Sequence, residues 1–152
     1  MHRWVLRFIM AVLVLPGLAH AQSSTGGDAT LLEMREAFRR NNTAQLTNLL
    51  PAVRGHALEP LAIYWDMKAR LETATAGDIR AALDRMPGTY WEDRLRNDWL
   101  LLLGRARDWT NFSAELPRFR MNDDRQVSCY ALMIDAASGR MPPELAAERV
   151  RT

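Results

Sequence analysis

Few residues in this sequence offer reactive chemistry. It contains one cysteine, Cys129, and three histidines. A single cysteine excludes an internal disulfide framework. Because Cys129 lies in an apolar helical stretch with no histidine beside it, a buried core position is favoured over a reactive or dimerising thiol. His2 and His20 lie in the N-terminal segment and His56 stands alone, so we predict no metal site. No glycine-rich phosphate loop is present either, and we predict no cofactor.

Lysine is also scarce, and opposite charges balance once the N-terminal segment is set aside. Lys68 is the only lysine, and the formal net charge is +2. Arg3 and Arg7 account for that excess, since 18 of the 20 basic residues then face 18 acidic ones. Nucleic-acid binding needs a clustered excess of basic residues. We therefore expect no nucleic-acid partner.

The one long hydrophobic run lies at the N-terminus. Two arginines precede the apolar residues 8–15, and residues 19–21 read Ala-His-Ala, the small-x-small pattern that signal peptidase cleaves. A membrane anchor is the alternative, but the run is much shorter than the roughly 20 residues that span a bilayer. We expect residues 1–21 to be a signal peptide removed after Ala21, with no membrane span afterwards.

The remaining chain predicts an all-α domain. Residues 22–28, reading QSSTGGD, indicate a flexible leader. Over residues 29–152 apolar side chains recur at helical spacing, and turn residues separate the helices at short intervals. No stretch reads as a strand. The expected capping or first-turn residues are Thr43, Pro60, Asp78, Thr89 or Tyr90, Asp108, one of residues 122–124, and the pair Pro142 and Pro143.

A loose internal repeat refines this fold. Trp65 and Trp99 are 34 residues apart, and Gly104 and Gly139 are 35 apart with an arginine after each glycine. A period in the mid-thirties is typical of stacked helix–turn–helix units, in which each pair covers the apolar face of its neighbour. We predict a right-handed helical-repeat superhelix, an α-solenoid of short antiparallel helix pairs. A compact helical bundle is the alternative.

Four segments resemble the soluble lytic murein transglycosylases. YWDMKARL (residues 64–71) is similar to the family's YWxLKARL stretch, and PGTYWEDRLRNDWL (residues 87–100) to its PGTYxADRLRxDWL block. LGRARDW (residues 103–109) and NDDRQVSCYAL (residues 122–132) continue the similarity. Order and spacing agree over roughly residues 58–133.

The resemblance implies a periplasmic enzyme that acts on peptidoglycan. In that family an N-terminal α-helical superhelix, the U domain, supports a separate C-terminal lysozyme-like domain that holds the catalytic glutamate. The enzyme cleaves the β-1,4 bond between N-acetylmuramic acid and N-acetylglucosamine without water and leaves a 1,6-anhydromuramoyl end. The signal peptide expected over residues 1–21 agrees with a periplasmic location.

The sequence departs from the family in its catalytic motifs. Neither the Glu-Ser pair nor the Gly-Leu-Met-Gln motif of the catalytic domain occurs. We therefore expect residues 29–152 to be a truncated N-terminal part of the U-type domain, without catalytic residues. Contact with glycan strands would be made by the missing domain, and a protein partner is possible. The alternative is a secreted helical-repeat module that binds a protein.

The remaining acids do not predict glycosidic chemistry. Glu92-Asp93 and Asp123-Asp124 are the only adjacent acids, and neighbouring side chains on a helix diverge by about 100°. We expect Glu92 and Asp93 to pair with Arg96 or other nearby arginines, and Asp123-Asp124 to cap a helix.

Tryptophans suggest either packing or stacking on sugars. Trp65, Trp99 and Trp109 occupy apolar helical positions, so core packing is favoured. Trp91 is the best candidate for exposure.

Overall fold

In the computed structural model, residues 22–151 are described and form an all-helical fold. No strand occurs among them, which confirms the predicted all-α class. The expected signal peptide over residues 1–21 lies outside the described residues. The helices are α1 (Gln22–Arg39), α2 (Thr43–Leu49), α3 (Glu59–Ala69), α4 (Ala76–Asp84), α5 (Tyr90–Ala106), α6 (Trp109–Glu115), α7 (Arg125–Ala137) and α8 (Pro143–Arg151), with 3₁₀ turns at Leu50–Val53 and Leu116–Arg118. No helix among residues 22–151 has the length and apolar character needed to cross a bilayer.

The first residues after the expected cleavage site form part of α1. Composition favours a flexible leader over residues 22–28, whereas the structure begins α1 at Gln22. Tertiary contacts account for the difference. The Asp28 carboxylate lies 2.9 Å from His56 Nε2, and Gly27 packs so closely on the His56 ring that a side chain there would overlap it. These contacts extend the helix into a segment of weak helix propensity.

Two helix starts differ from the predicted capping residues. Thr75, not Asp78, is the N-cap of α4, and the two residues form a capping box. Thr75 Oγ1 accepts from the Asp78 amide at 3.1 Å, and the Asp78 carboxylate accepts from the Thr75 amide at 3.2 Å. Asn42 replaces Thr43 as the cap of α2, because its side chain accepts a hydrogen bond from the Gln45 amide.

Other predicted starts are confirmed. Thr89, Asp108 and Asp124 are the N-caps of α5, α6 and α7, and each side chain accepts an amide hydrogen bond from the first turn. Pro60 lies in the first turn of α3, where its missing N–H leaves no helical bond unmade.

The odd-numbered helices pack in series. α1 packs on α3, α3 on α5, and α5 on α7. The even-numbered helices cover them, since α2 packs on α1 and α3, α4 on α3 and α5, α6 on α5, and α8 on α7. α5 therefore lies in the middle of the order, with neighbours on several sides.

Two apolar clusters fill the spaces between these helices. The smaller joins α1, α2 and α3 around Met34 and Leu46, and the larger centres on Trp99 and Phe112. Trp65 packs against both clusters, and its ring stacks on Phe38 with centroids 6.0 Å apart. The core assignment of Trp99 is confirmed, because its side chain is 2 % exposed.

Gly104 permits close approach of α5 and α7. It lies inside α5, and a Cβ built there would overlap the ring of Tyr130. Gly139, its partner in the sequence repeat, follows α7 with φ +74°, a backbone conformation that glycine adopts most easily. The two glycines thus have different structural roles despite their repeat spacing.

Replacing Gly104 with alanine should destabilise the protein. The Tyr130 ring must move to admit the methyl group, so we expect a net loss of about 1–3 kcal/mol in urea unfolding. Gly77→Ala in α4 is the matched control, because the nearest atom to its added Cβ is Thr75 Oγ1 at 3.6 Å. That variant should gain up to about 1 kcal/mol from helix propensity. Equal responses of the two variants would contradict close packing at Gly104.

Candidate functional site

α5 buries an unusual number of polar residues. Its first turns carry Glu92 and Asp93, and one turn later Arg96, Asn97 and Asp98 are all buried. Charged groups are rarely buried unless they are paired. The sequence alternates them with Leu95, Trp99 and Leu100 of the core, so the polar side chains must find partners on neighbouring elements.

Arg96 is the centre of the first charged group. Its Nε donates to Glu115 at 2.9 Å, its Nη2 to Glu92 at 2.8 Å, and its Nη1 to Asp93 at 3.3 Å. The guanidinium thus uses its planar fork to bind three carboxylates. Burial acts to lower the pKa of Arg96, but the hydrogen bonds and charges of Glu115 and Glu92 prevail and hold that pKa above its ordinary value. The predicted pairing of Glu92 and Asp93 with Arg96 is confirmed.

Asp93 also fastens the segment that follows α6. Its carboxylate accepts hydrogen bonds from the backbone amides of Arg120 at 3.1 Å and Met121 at 2.7 Å. The exposed Arg120 guanidinium returns to Glu92 at 3.1 Å. Glu92 and Asp93 therefore join α5 to the segment that precedes α7, through both side-chain and main-chain groups.

Glu115 is the member of this group that was not predicted from the sequence. It is 2 % exposed, and it lies three residues after the buried Phe112 on α6. That spacing places both side chains on one face of the helix. The signal was present, but the burial of a glutamate depends on Arg96, which is 19 residues earlier in the chain.

The charged group is built for packing and not for glycosidic cleavage. A glycosidase needs an acid in a cleft that admits the sugar, usually with a second carboxylate across the bond. Glu115 is enclosed, and the hydrogen bonds of Asp93 come from donors on Arg96, Arg120 and Met121. These carboxylates act as acceptors that hold helices together.

A second buried group links α3 to α5. The Tyr64 hydroxyl donates to Asp98 Oδ2 at 3.0 Å, and Lys68 Nζ lies 2.7 Å from Asp98 Oδ1. Both oxygens of one carboxylate are thereby engaged by α3. Burial, and then the Asp98 carboxylate, raise the pKa of Tyr64 to about 12.

Tyr64 should make stability fall in alkali. An unfolded tyrosine ionises near pH 10, whereas the folded Tyr64 hydroxyl keeps its proton to about pH 12. The contribution of the Tyr64 hydroxyl to the free energy of unfolding is complete below pH 10 and is lost as the pH rises to the folded pKa. At pH 11 the loss is about 1 kcal/mol. Urea unfolding measured from pH 8 to pH 11 should show that the free energy of unfolding declines less steeply for Tyr64→Phe than for the parent protein. The exposed Tyr90→Phe should retain the parent's slope, and an unchanged slope in Tyr64→Phe would contradict this role.

The other aromatic and thiol residues depart from expectation. Trp91 is half-buried against Tyr64, with ring centroids 5.1 Å apart, whereas its neighbour Tyr90 is 58 % exposed. The two residues begin α5, where adjacent side chains point in different directions. Cys129 is half-buried instead of enclosed, because it lines an open recess between α7 and α8 beside Val150.

Trp109 is half-buried and lines a groove between α5 and α7. The groove has a volume of about 880 Å³. The Trp109 ring packs near the Tyr130 ring, with centroids 6.0 Å apart. The lining residues are Gly104, Arg105, Arg107, Trp109, Tyr130, Met133, Ile134, Ala137 and Ser138. We call this surface the α5–α7 groove.

The remaining polar candidates are explained by local structure. Asp124 accepts from the amides of Gln126 and Val127 at 2.8 and 3.1 Å and binds the Asn97 side chain, which confirms its capping role, whereas Asp123 is exposed. Among residues 22–151 no group of three or more potential metal ligands is assembled.

Comparison with protein-family models gives no match for this chain, and no curated protein and no solved structure matches it.

Proposed function

We propose that this chain is the N-terminal scaffold part of a periplasmic lytic murein transglycosylase that acts on peptidoglycan. In this proposal the chain itself does not cleave glycan strands. It holds and positions a catalytic domain that breaks the bond between N-acetylmuramic acid and N-acetylglucosamine. Residues 1–21 serve as the signal peptide that directs it to the periplasm.

The main support is that the four segments resembling this family contact one another. Asp98 of the second segment binds Tyr64 and Lys68 of the first. Asn97 donates to Asp124 of the fourth segment at 3.1 Å, and Gly104 of the third packs on Tyr130 of the fourth. Residues of one scaffold that depend on one another in this way are expected to occur together in a sequence, because losing one leaves buried polar groups without partners.

The order of helix packing supports the proposed superhelix of helix pairs. α1, α3, α5 and α7 follow one another in space, and the even-numbered helices cover the joints. In a solenoid each helix pair packs on the next along the chain, whereas a compact bundle also brings its first and last helices together.

A digestion assay tests the proposal. Purified peptidoglycan is incubated with this chain alone, and with the chain continued by the reading frame encoded immediately downstream. We expect that frame to encode the Glu-Ser and Gly-Leu-Met-Gln motifs, and mass spectrometry to detect anhydromuropeptides only with the longer product. The control is glutamine in place of the glutamate of its Glu-Ser pair.

Two results would refute the proposal. Release of anhydromuropeptides by this chain alone would make it an enzyme and not a scaffold. A downstream frame without the two motifs would remove the catalytic partner and favour the second candidate, a secreted helical-repeat module that binds a protein. The observation in favour of that module is the α5–α7 groove, which presents Trp109 and Met133 to solvent.

A further inference from the structure

We propose that the α5–α7 groove binds an acidic amphipathic helix from a partner protein. The apolar side of the partner helix lies on α7, and its carboxylates bind Arg105 and Arg107. This inference goes beyond the scaffold role, since it assigns a binding surface that holding a catalytic domain does not require.

The floor of the groove is a helical stripe that is only partly covered, since Tyr130 and Ile134 pack against the larger cluster while Met133 and Ala137 are exposed. Tyr130, Met133, Ile134 and Ala137 stand at positions i, i+3, i+4 and i+7 of α7, so they share one face over about two turns, or roughly 10 Å. Met133 is 46 % exposed. A stripe of this spacing is ordinarily buried by a second helix.

α8 does not cover this stripe. Cys129 and Leu132, on a different side of α7, border a recess of about 270 Å³ together with Arg149 and Val150 of α8. α5 packs against the side that adjoins the stripe, where Val127 is buried and Tyr130 lies on Gly104. α7 thus has α8 on one side and α5 on another, and the open groove exposes Met133 and Ala137 beside the α5 contact.

The charge of the groove selects an acidic partner. Arg105 and Arg107 are exposed, and among residues 22–151 neither guanidinium has a carboxylate partner, in contrast to Arg96 and Arg120. No acidic residue lines the groove. Asp108, the nearest acid in sequence, is engaged by Asn111 at 2.7 Å as the cap of α6. Two free cations beside an apolar floor complement a helix with apolar and acidic sides.

The shape of the groove favours a helix over other occupants. Its walls are helices, and no strand among the described residues offers an edge for an extended peptide. Helix-in-groove recognition uses apolar anchors at the spacing found on α7. The groove also falls within the size range of small-molecule sites, so an absence of peptide binding would favour a small apolar anion as the occupant.

Synthetic peptides test the partner's chemistry. The probe is a fluorescein-labelled helical peptide of about 14 residues, or roughly four turns, with leucines at i, i+3, i+4 and i+7 and glutamates beside them. One counterpart carries lysine for each glutamate, and another has the same composition in scrambled order. Fluorescence anisotropy with the full chain should give at least tenfold tighter binding of the acidic helix than of either counterpart.

Charge reversal locates the site. Arg105→Glu combined with Arg107→Glu should weaken the acidic peptide at least tenfold and tighten the lysine peptide. Met133→Glu should weaken the binding of both the acidic and the lysine peptide, because it places a charge on the apolar floor. Arg40→Glu, at an exposed arginine beyond α1, is the matched control and should change neither affinity. Thermal unfolding identifies any variant that has lost its fold, and the exposed arginine pair still tests the site if Met133→Glu unfolds.

Three results would overturn the inference. Equal binding of the acidic, lysine and scrambled peptides would show non-specific apolar association, and no binding would show that the groove is not a helix site. Sedimentation of a dimer that Met133→Glu converts to monomer would make a second copy of this chain the occupant.

Discussion

Replacing Arg96 with alanine is expected to destabilise the fold by about 3–5 kcal/mol. The substitution removes the guanidinium that binds Glu92, Asp93 and Glu115 together. It leaves the buried Glu115 facing only the exposed Arg118, 3.9 Å away, among the described residues. Chemical unfolding at neutral pH measures the loss. Arg120→Ala removes an arginine of the same group whose side chain is 52 % exposed, so it should cost about 1 kcal/mol or less.

A second variant separates the loss of a favourable pair from the exposure of a buried charge. Arg96→Met combined with Glu115→Leu removes both charges and keeps comparable volume. Because replacing a buried pair by apolar residues is often nearly neutral, the double variant should recover much of the stability that Arg96→Ala loses. A double variant as unstable as the single one would mean that Arg96 acts mainly through Glu92 and Asp93.

Trp99→Ala should cost about 3–5 kcal/mol, the range for truncating a large aromatic residue in a core. The indole is 2 % exposed, and the Arg80 guanidinium lies 5.2 Å from its ring centroid. The residue therefore contributes apolar burial and a cation–π contact. The measurement is the shift of the urea midpoint, with the slope of the transition compared between variants.

Trp109→Ala is the control for Trp99→Ala, because it removes the same kind of side chain from a less buried position. Trp109 is half-buried at the α5–α7 groove, so its truncation leaves a smaller cavity and should cost clearly less than that of Trp99. Equal losses at the two positions would contradict the assignment of Trp99 to the centre of the larger cluster.

The helices were predictable where their signals are local. Asp108 and Asp124 cap the helices that follow them because a short carboxylate reaches the amides of the first turn. Thr75 was missed for a related reason. In a capping box both Thr75 and Asp78 carry the capping pattern, and only the backbone geometry decides which of them is the N-cap.

The charged group on α5 was predictable only in part. The pairing of Glu92 and Asp93 with Arg96 follows from spacings of four and three residues on one helix. The contribution of Glu115 depends on how α6 lies against α5, which no local pattern specifies. The helix at residues 22–28 likewise depends on the distant His56, so composition alone favoured a leader there.

The shared position of Trp65 has a consequence for local opening of the fold. One side of its indole belongs to the cluster of α1 and α2 and another to the cluster around Trp99. If α1 and α2 detach, Trp65 loses its partners in the smaller cluster, while α5 keeps its partners in the larger cluster. Amide hydrogen exchange in α1 and α2 should therefore proceed by a partial, lower-energy opening, and slow exchange in the middle of α5 should report the cooperative unfolding of the whole domain.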